Sequence, residues 1–563
     1  MNLPSIWTTG STEAIKTGTW RSALPHYIAA PAPCHQACPV NGDIAQWIGL
    51  ARQRDWRGAW DVLTRNNPFP AVAGRICHHP CESACNRAGF DDALAICKLE
   101  RTVGDIALQN GWTFPLPERE HTAHVAIVGA GPAGLSAAFQ LRRLGYRVSL
   151  YEAQAELGGL MRYGIPPYRL ARSVRDGEIA RIVALGVEVF CGVTIRSEHD
   201  LARLRRDHNA VFLGTGAQRP KRLSQLPPNA PWLMDGATYL ASANAGKPPA
   251  LGRRLVVIGG GSAALDVARS ARRAGQAVTI LALETAQQMP AQHEEVVEAR
   301  EEAITIVDGA MLKEVTELDD GALELQCQRV VFTPGSAGSP STLTPLPEDG
   351  FLLQADAIVS AIGQDPDLAA LAAFTLQGNL VSVNRQQATS FNGFWAGGDL
   401  ASMARFVTEA IGMGKRAALD IDRTLQARVP GGTTDGATAQ AVAAPAATPA
   451  DATPVVGLHN IATTYHPPQA RVTESRLPPQ QRVASGAEVQ LPLELEQALI
   501  ESARCFSCGN CTQCDNCFHY CPDLAIRRVD GGGYVVLTDY CKGCGICVAE
   551  CPTGSMAMHE ETR

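Results

Sequence analysis

The sequence predicts a multidomain protein. It should hold an α-helical N-terminal domain that carries cysteines, two Rossmann-like α/β domains, and a small cysteine-rich α+β domain at the C-terminus. Three observations predict this. Two Gly-rich loops each follow a Val/Ile-rich run and precede a helix-like segment, in "HVAIVGAGPAGLSAAFQLRRLGYRVSLYEA" and "RLVVIGGGSAALDVARSARRAGQAVTILALE". The 18 cysteines are clustered: five lie from Cys34 to Cys85, ten from Cys505 to Cys551, and Cys97, Cys191 and Cys327 stand apart. At 563 residues and 45% apolar content, the chain can bury several cores.

Composition narrows the function classes. A net charge of −7 does not recommend nucleic acid as a partner, and no apolar run is long enough to span a bilayer. The opening "MNLPSIWTTGSTEAIKTG" has no apolar signal-peptide core, so the expected location is cytoplasmic. A reducing compartment disfavours a disulfide framework, and clustered cysteines then point to metal.

In chain order, "DIAQWIGLARQRDWRGAWDVLTRN" has apolar residues at helical spacing, with Asp43 as the expected N-cap. The first Gly-rich run, Gly129, Gly131 and Gly134, reads G-x-G-x-x-G. Its first glycine permits a tight turn, its second lets the backbone approach a pyrophosphate, and its third lets the helix pack on the strand. Glu152 ends the next strand, where a carboxylate can bond ribose hydroxyls. The second run, Gly259, Gly261 and Ala264, has Glu284 at the acid position. An acid there bonds an adenosine 2′-OH and repels a 2′-phosphate, which favours NADH over NADPH. The competing reading makes Glu284 a solvated loop acid and lets Arg272 or Arg273 reach a phosphate. From Arg428 to about Val456 the chain is Ala, Pro, Thr and Gly, a composition that buries no core and reads as linker.

The C-terminal cysteines form C-x2-C-x2-C-x3-C-P twice: Cys511, Cys514, Cys517 and Cys521, then Cys541, Cys544, Cys547 and Cys551. In two-cluster ferredoxins the fourth cysteine of each motif serves the other cluster. One [4Fe-4S] cluster should therefore use Cys511, Cys514, Cys517 and Cys551, and the other Cys541, Cys544, Cys547 and Cys521. Zinc is the alternative for any cysteine quartet.

Residues 30–425 resemble the small subunit of glutamate synthase and its relatives. These include the amino-terminal part of dihydropyrimidine dehydrogenase, the large subunit of NADH-dependent ferredoxin:NADP oxidoreductases, and related NAD(P)H:acceptor flavoproteins. The resemblance rests on "CHQACPVNGDIAQWI", "NNPFPAVAGRICHHPCESACNR", "GAGPAGLSAAFQL", "ELGGLMRYGIPPYRL", "GGGSAALDVARSA", "MPAQHEEV", "AIGQDPDL" and "AGGDLASMARFVTEAIGMGKRAA". It implies an FAD domain interrupted by an NAD(P)H domain. Gly129, Gly131, Gly134, Glu152 and Gly159 would contact FAD, Asp399 would bond the ribityl chain, and Thr408 would lie near the isoalloxazine ring. Two positions depart from the family pattern: Leu283 and Glu284 stand where an Arg-Arg pair is usual, which strengthens the NADH expectation, and Ser262 stands for the usual Asn. The expected boundaries are 1–115 (helical Fe–S domain), 116–220 and 356–425 (FAD domain), 221–355 (NAD(P)H domain), 426–485 (flexible linker) and 486–563 (two-cluster ferredoxin).

The family pattern also assigns an N-terminal [4Fe-4S] cluster to Cys38, Cys77 and Cys81, with Glu100 at the place of a Gln or Glu ligand. Cys97 is a rival ligand, against the simpler reading of a buried small hydrophobe. Relatives open with a C-x2-C whose places fall here near His26 and Ala29, so Cys34 and Cys85 lack two partners. "ARCFSCG" looks like that missing phrase. The expectation is that Cys34, Cys85, Cys505 and Cys508 share one interdomain [4Fe-4S] cluster; the alternatives are four unligated thiols or a separate metal at Cys505 and Cys508.

The predicted activity is NAD(P)H:acceptor oxidation–reduction. A hydride passes between NADH and FAD, and single electrons pass through [4Fe-4S] clusters to or from a redox protein or partner subunit at the ferredoxin end. No catalytic acid, base or nucleophile is required, because the cofactors carry the chemistry. The alternatives are a glutamate synthase-type small subunit feeding a separate FMN-bearing subunit, and a non-enzymatic electron wire. A homo-oligomer is compatible with the sequence.

Overall fold

The computed structural model describes residues 16–28, 30–335, 341–427 and 455–561. Most of the Ala/Pro-rich stretch read as linker lies outside the described residues.

The N-terminal region is helical, with Pro33–Ala37, Ile44–Arg52, Trp56–Thr64, Pro70–Ile76, Pro80–Ser83 and Ile96–Gln109. The helical run at 43–66 breaks in two at Gln53–Asp55, where Arg54 takes φ 63° and Asp55 accepts the Gly58 N–H at 2.9 Å to start the next helix. Asp43 stands at the N-cap of Ile44–Arg52 without making the capping bond; its carboxylate faces His35 and Asn66 instead. Trp47, Trp60 and Phe69 fill the core, and Trp60 stacks on Phe114 with ring centroids 5.1 Å apart.

The first α/β domain has five parallel strands in the spatial order Phe394–Ala396, Ala210–Leu213, His124–Val128, Arg147–Glu152, Glu188–Cys191. Its edge strand Phe394–Ala396 arrives only after the second α/β domain has been built, so the first domain is interrupted, as expected. The second domain's five parallel strands run Thr305–Val307, Ala277–Leu281, Arg254–Ile258, Ala357–Ser360, Leu233–Asp235, with a three-stranded antiparallel sheet (Ala310–Glu317, Leu323–Thr333, Thr342–Ala355) beside them. Both faces of such parallel sheets are buried, which explains continuous apolar strands such as "RLVVI".

Two expected boundaries are corrected. Ala357–Ser360 pairs with Arg254–Ile258 and Leu233–Asp235, so the second domain runs past residue 355. The chain crosses between domains at the antiparallel pair Arg219–Pro220 and Gln364–Asp365. The flexible linker expected to reach residue 485 does not describe residues 455–485. Val456 is buried against Ala30 and Phe506, Arg471 pairs with Glu82 at 2.6 Å, and Arg482 pairs with Glu301 of the second domain at 2.6 Å. Their charges and Val456 find partners on other domains, which composition alone does not reveal.

The C-terminal module holds short helices Asn516–His519 and Ile546–Ala549 and the hairpin Ile526–Arg528/Tyr534–Val536. Its last strand, Met556–Glu560, pairs antiparallel with Ala23–Tyr27 from the other end of the chain. His26, expected near the place of a missing cysteine, is thus a strand residue opposite Ala557. Among the described residues, no helix is long and apolar enough to cross a membrane.

Candidate redox centres

The dinucleotide sites are built at the C-terminal ends of the central strands. A Cβ on Gly129 (φ 97°) would meet the Gly214 carbonyl oxygen at 2.3 Å, and one on Gly134 would meet the Gly129 oxygen at 1.9 Å. Both positions therefore require glycine. At Gly131 a Cβ would meet nothing within 4 Å, leaving open space at the N-terminus of helix Pro132–Arg143. That is the cradle a pyrophosphate needs. Glu152 is buried, and each of its carboxylate oxygens accepts one backbone N–H, from Ala130 and Gln154, both at 2.8 Å. Each oxygen keeps a lone pair for a ribose hydroxyl. The "ELGG" segment folds over this loop: Gly158 N–H donates to Ala130 O at 2.9 Å, and a Cβ on Gly159 would reach Gly131 Cα at 2.8 Å.

Asp399 lies in the turn Gly398–Leu400 after the edge strand, and a Cβ on its neighbour Gly398 would touch Ala133 at the start of the same helix. Burial raises the Asp399 carboxyl above its usual range, opposed by Arg405. Thr408 is buried in the first turn of helix Val407–Gln426. Gly129, Gly131, Gly134, Glu152 and Gly159 therefore surround one open helix N-terminus with the Gly398–Leu400 turn beside it, and they fit the group.

In the second domain Gly261 likewise faces open space at the N-terminus of helix Ser262–Arg273. A Cβ on Gly260 would meet Glu284 Oε2 at 2.6 Å, so the Glu284 carboxylate lies directly on the Gly-rich loop. Ser262 Oγ donates to Glu295 at 2.6 Å, and Arg169 bridges Asp266 and Glu295. Arg272 and Arg273, the rival phosphate ligands, are engaged elsewhere. Arg272 donates to Glu302 O at 3.0 Å, while Arg273 pairs with the Glu302 carboxylate at 2.6 Å and stacks on Tyr168.

All of the 18 cysteines except Cys97, Cys191 and Cys327 fall into four groups. Cys38, Cys77, Cys81 and Glu100 lie within electrostatic reach of one another. Burial pushes the Cys77 thiol up to about 12 and Glu100 up to about 7, the latter opposed by a 2.8 Å bond from Asn67. Cys77 Sγ is 3.5 Å from Thr408 Oγ1, so this group touches the first α/β domain. His78 stacks on Phe406 at 3.8 Å, and Lys415 donates to Val40 O at 2.8 Å across the same junction. Cys97 adjoins the group, but its thiol donates to Ala73 O at 3.6 Å inside the core, the behaviour of a buried thiol.

Cys34, Cys85, Cys505 and Cys508 line a single pocket with Ile48 and Phe506. Cys517 faces Cys511, Cys514 and Cys551, while Cys521, Cys541, Cys544 and Cys547 line another pocket with Pro25. The fourth cysteine of each C-terminal motif thus joins the other motif's first three. Among the described residues no three or more His, Cys, Asp or Glu side chains are arranged to hold a single metal ion. Two of the quartets, Cys34, Cys85, Cys505 and Cys508 and then Cys521, Cys541, Cys544 and Cys547, each surround a space. Buried thiols resist ionising alone: burial pushes Cys505 to about 12, Cys508 to about 11 and Cys547 to about 12. A bound cation reverses that by deprotonating its thiol ligands outright. Cys551 differs. Burial would raise it, yet the Ser555 and Thr553 hydroxyls and backbone N–H groups hold it below the usual thiol value.

Sequence reasoning missed four contributors. The Tyr27 hydroxyl lies 3.7 Å from Cys517 Sγ, 490 residues away, and no local signal marks it. Ser555 and Thr553 sit just past a C-P pair and could have been noticed as hydroxyls beside a ligand. Glu488 ties Arg75 (2.6 Å), Arg101 (2.8 Å) and the Ala171 N–H (2.9 Å), in a polar stretch that carries no motif.

One chain thus joins a helical cysteine domain, two Rossmann-like domains of which the first is interrupted by the second, and a module with two crossed cysteine quartets. The model of the pyridine nucleotide-disulphide oxidoreductase family matches residues 123–414, and the chain belongs to that family. Flanking it, dihydropyrimidine dehydrogenase domain II, 4Fe-4S cluster, matches residues 27–112, and the 4Fe-4S dicluster domain matches 510–556. The chain is similar to the NADP(+)-dependent formate dehydrogenase subunit beta of Moorella thermoacetica, at 34% identity over 70% of this chain and 60% of that one. It is similar to the NAD-dependent dihydropyrimidine dehydrogenase subunit PreT of Salmonella typhimurium, at 32% over 70% and 91%. It is also similar to the glutamate synthase [NADPH] small chain of Azospirillum brasilense, at 30% over 70% and 86%. The chain thus spans only 60% of the length of the Moorella relative.

Proposed function

We propose that this chain is an NAD(P)H:acceptor oxidoreductase whose residues bind FAD, a nicotinamide dinucleotide and [4Fe-4S] clusters, and connect them to a protein partner at the ferredoxin end. When bound, the flavin and nicotinamide exchange a hydride and the clusters pass single electrons. The observation that carries this reading is the 3.5 Å contact between Cys77 Sγ and Thr408 Oγ1, because it joins the cysteine-bearing domain directly to the flavin end of the first α/β domain.

The chain's own residues supply positioning and electrostatics. Gly129, Gly131, Gly134, Glu152, Gly159 and Asp399 hold FAD, and Thr408 borders its ring. Gly259, Gly261, Ala264 and Glu284 hold the dinucleotide. Cys38, Cys77, Cys81 and Glu100 hold the N-terminal cluster, and the two crossed C-terminal quartets hold two more. The carboxylate of Glu284 on the Gly-rich loop and the engagement of Arg272 and Arg273 elsewhere support NADH over NADPH. The relatives divide on this point, since the Salmonella subunit is named for NAD and the Moorella and Azospirillum proteins for NADP(H). A partner subunit is supported by relatives that are themselves named as subunits, and by exposed Tyr520, Leu524 and Ile546 flanking Cys521 and Cys547. We place the protein in the cytoplasm, where thiol ligands stay reduced.

Anaerobic reduction of the holoprotein with NADH and with NADPH, read by flavin absorbance and by EPR of the clusters, tests this reading. Bleached flavin plus cluster signals, faster with NADH, is expected. Bleached flavin with silent clusters would sink the proposed connection. Glu284→Arg should raise kcat/KM for NADPH about tenfold, about 1.4 kcal/mol, by replacing repulsion of the 2′-phosphate with attraction; an unchanged NADPH value would remove Glu284 from the specificity assignment.

A further inference from the structure

We propose that Cys34, Cys85, Cys505 and Cys508 bind a fourth [4Fe-4S] cluster, built from both ends of the chain, that fastens the ferredoxin module to the flavoprotein body. This rests on the functional reading above but adds a site that the matched domains do not contain, since Cys505 and Cys508 lie outside residues 27–112 and 510–556.

Three observations carry it. The four thiols line one pocket although the two pairs are separated by 420 residues of chain, from Cys85 to Cys505. The loop that presents Cys505 has the same local build as the other ligand loops. The residue two positions after the cysteine is left-handed at Ser507 (φ 53°), as it is at His79 (φ 46°), Gln513 (φ 56°) and Gly543 (φ 69°). In each case its N–H points back to the sulfur: Ser507 to Cys505 at 3.4 Å, His79 to Cys77 at 3.3 Å, Gly543 to Cys541 at 3.4 Å, and Gln513 to Cys511. Residues with a Cβ avoid this conformation. Its recurrence at Ser507 marks a sulfur turned for ligation.

The loop is also held in place from the opposite end of the chain. Asn86 Nδ2 bonds Cys508 Sγ at 3.4 Å and Val456 O at 2.9 Å. Arg504 donates to Asp92 O at 2.6 Å and pairs with Asp91 at 3.2 Å, while Phe506 packs edge-on to Phe90. Polar and aromatic contacts from residues 86–92 therefore fix Cys505 and Cys508 opposite Cys85.

The location is informative. Cys34 and Cys38 are one helical turn apart, with the Cys38 N–H donating to Cys34 O at 3.2 Å, and Cys81 and Cys85 have the same spacing. Each pair divides between this site and the N-terminal quartet. On the other side, Cys508 precedes the ferredoxin ligand Cys511 by three residues. Along the chain the site thus adjoins both the quartet that touches Thr408 and the ferredoxin quartet that begins at Cys511. Assembly balances simply: each Fe–S(Cys) bond forms as one thiol proton leaves, with iron and inorganic sulfide delivered together by cluster assembly.

Iron, acid-labile sulfide and zinc are measured per flavin in the anaerobically purified full chain. About 16 iron and 16 sulfide are expected for four clusters of the [4Fe-4S] type. The double variant Cys505→Ser, Cys508→Ser should fall by about four of each, with flavin content and NADH bleaching retained. Cys85→Ser, altered at the other end of the chain, should lose the same four irons, and combining all three substitutions should remove no more. Cys97→Ser should lose none. Wild type holding about 12 irons, a double variant with undiminished iron, or one zinc per chain that disappears in the variants would each overturn the proposal. Wild type without flavin or unreactive to NADH would instead count against the functional reading and leave the iron count to judge this site separately.

Discussion

Tyr27 shows how much a single side chain can contribute without any motif. Its hydroxyl lies 3.7 Å from Cys517 Sγ, and burial pushes its ionisation far above the ordinary range, so it stays protonated and can donate to a cluster sulfur. Hydrogen bonds to the sulfurs are among the factors that set a cluster's potential, because they stabilise the more reduced, more negative state. Tyr27→Phe should therefore lower the potential of the cluster held by Cys511, Cys514, Cys517 and Cys551, as read by an EPR-monitored redox titration. An unshifted potential would mean that the hydroxyl does not donate to the cluster. Residues with motif support are legible in the sequence. Glu152 and Glu284 were placed by the strand-loop-helix-strand pattern, and both lie against their Gly-rich loops. What the pattern could not give is the state of Arg272 and Arg273: their tie to Glu302 depends on how one helix packs on the next.

Among the elements, the stretch from Val456 to Leu493 changes most between sequence and structure. Read from composition it is polar and without motif. In the fold it runs across three domains. Glu488 joins Arg75 and Arg101 of the helical domain and the Ala171 N–H of the first α/β domain, and Arg482 reaches Glu301 of the second. Arg75 and Arg101 are nearly fully buried and share Asp105 as a second carboxylate partner, so removing Glu488 leaves two buried cations on one counter-charge. Loss of the whole partner in a buried pair costs about 3–5 kcal/mol, and with Asp105 retained the loss of Glu488 should cost less than that. Glu488→Ala should accordingly lower the thermal midpoint and quicken amide exchange in Pro70–Ile76 and Ile96–Gln109, and Glu488→Gln should do so less. Equal stability of wild type and Glu488→Ala would show the segment to be a passenger. Arg75, Arg101 and Glu488 are each unremarkable in sequence; their meeting depends on helices set by their apolar faces.

The molecule as a whole is closed by its two ends. Ala23–Tyr27 pairs with Met556–Glu560, Gly509 N–H bonds Thr553 O at 2.8 Å, and a Cβ on Gly509 would strike Ala30 O at 2.3 Å. Covalent continuity between the second half of the FAD domain and the ferredoxin module is then not needed to hold them together. A specific protease site inserted between residues 435 and 450, cut in the native protein, should leave two fragments that co-elute on size exclusion and still pass electrons from NADH to the clusters. Fragments that separate without denaturant would show that strand pairing, ion pairs and the interdomain site do not suffice.

The sequence by itself determined the local chemistry of this protein. Glycine spacing, the strand that precedes it and the acid that follows lie within about 30 residues, so backbone geometry fixes their arrangement wherever the unit is placed. The doubled C-x2-C-x2-C-x3-C-P motif likewise carried its own crossed pairing. The likeness of "ARCFSCG" to a missing N-terminal phrase raised the meeting of Cys505 and Cys508 with Cys34 and Cys85 as an expectation, and the fold brings the four to one pocket. Only the tertiary structure decided the other contacts across long gaps in the chain: that Tyr27 reaches Cys517 and that Glu488 spans domains. The physical reason is that such contacts are selected by complementary packing and buried charge between preformed units, and those terms depend on the shapes of both surfaces at once. No spacing within either partner encodes them.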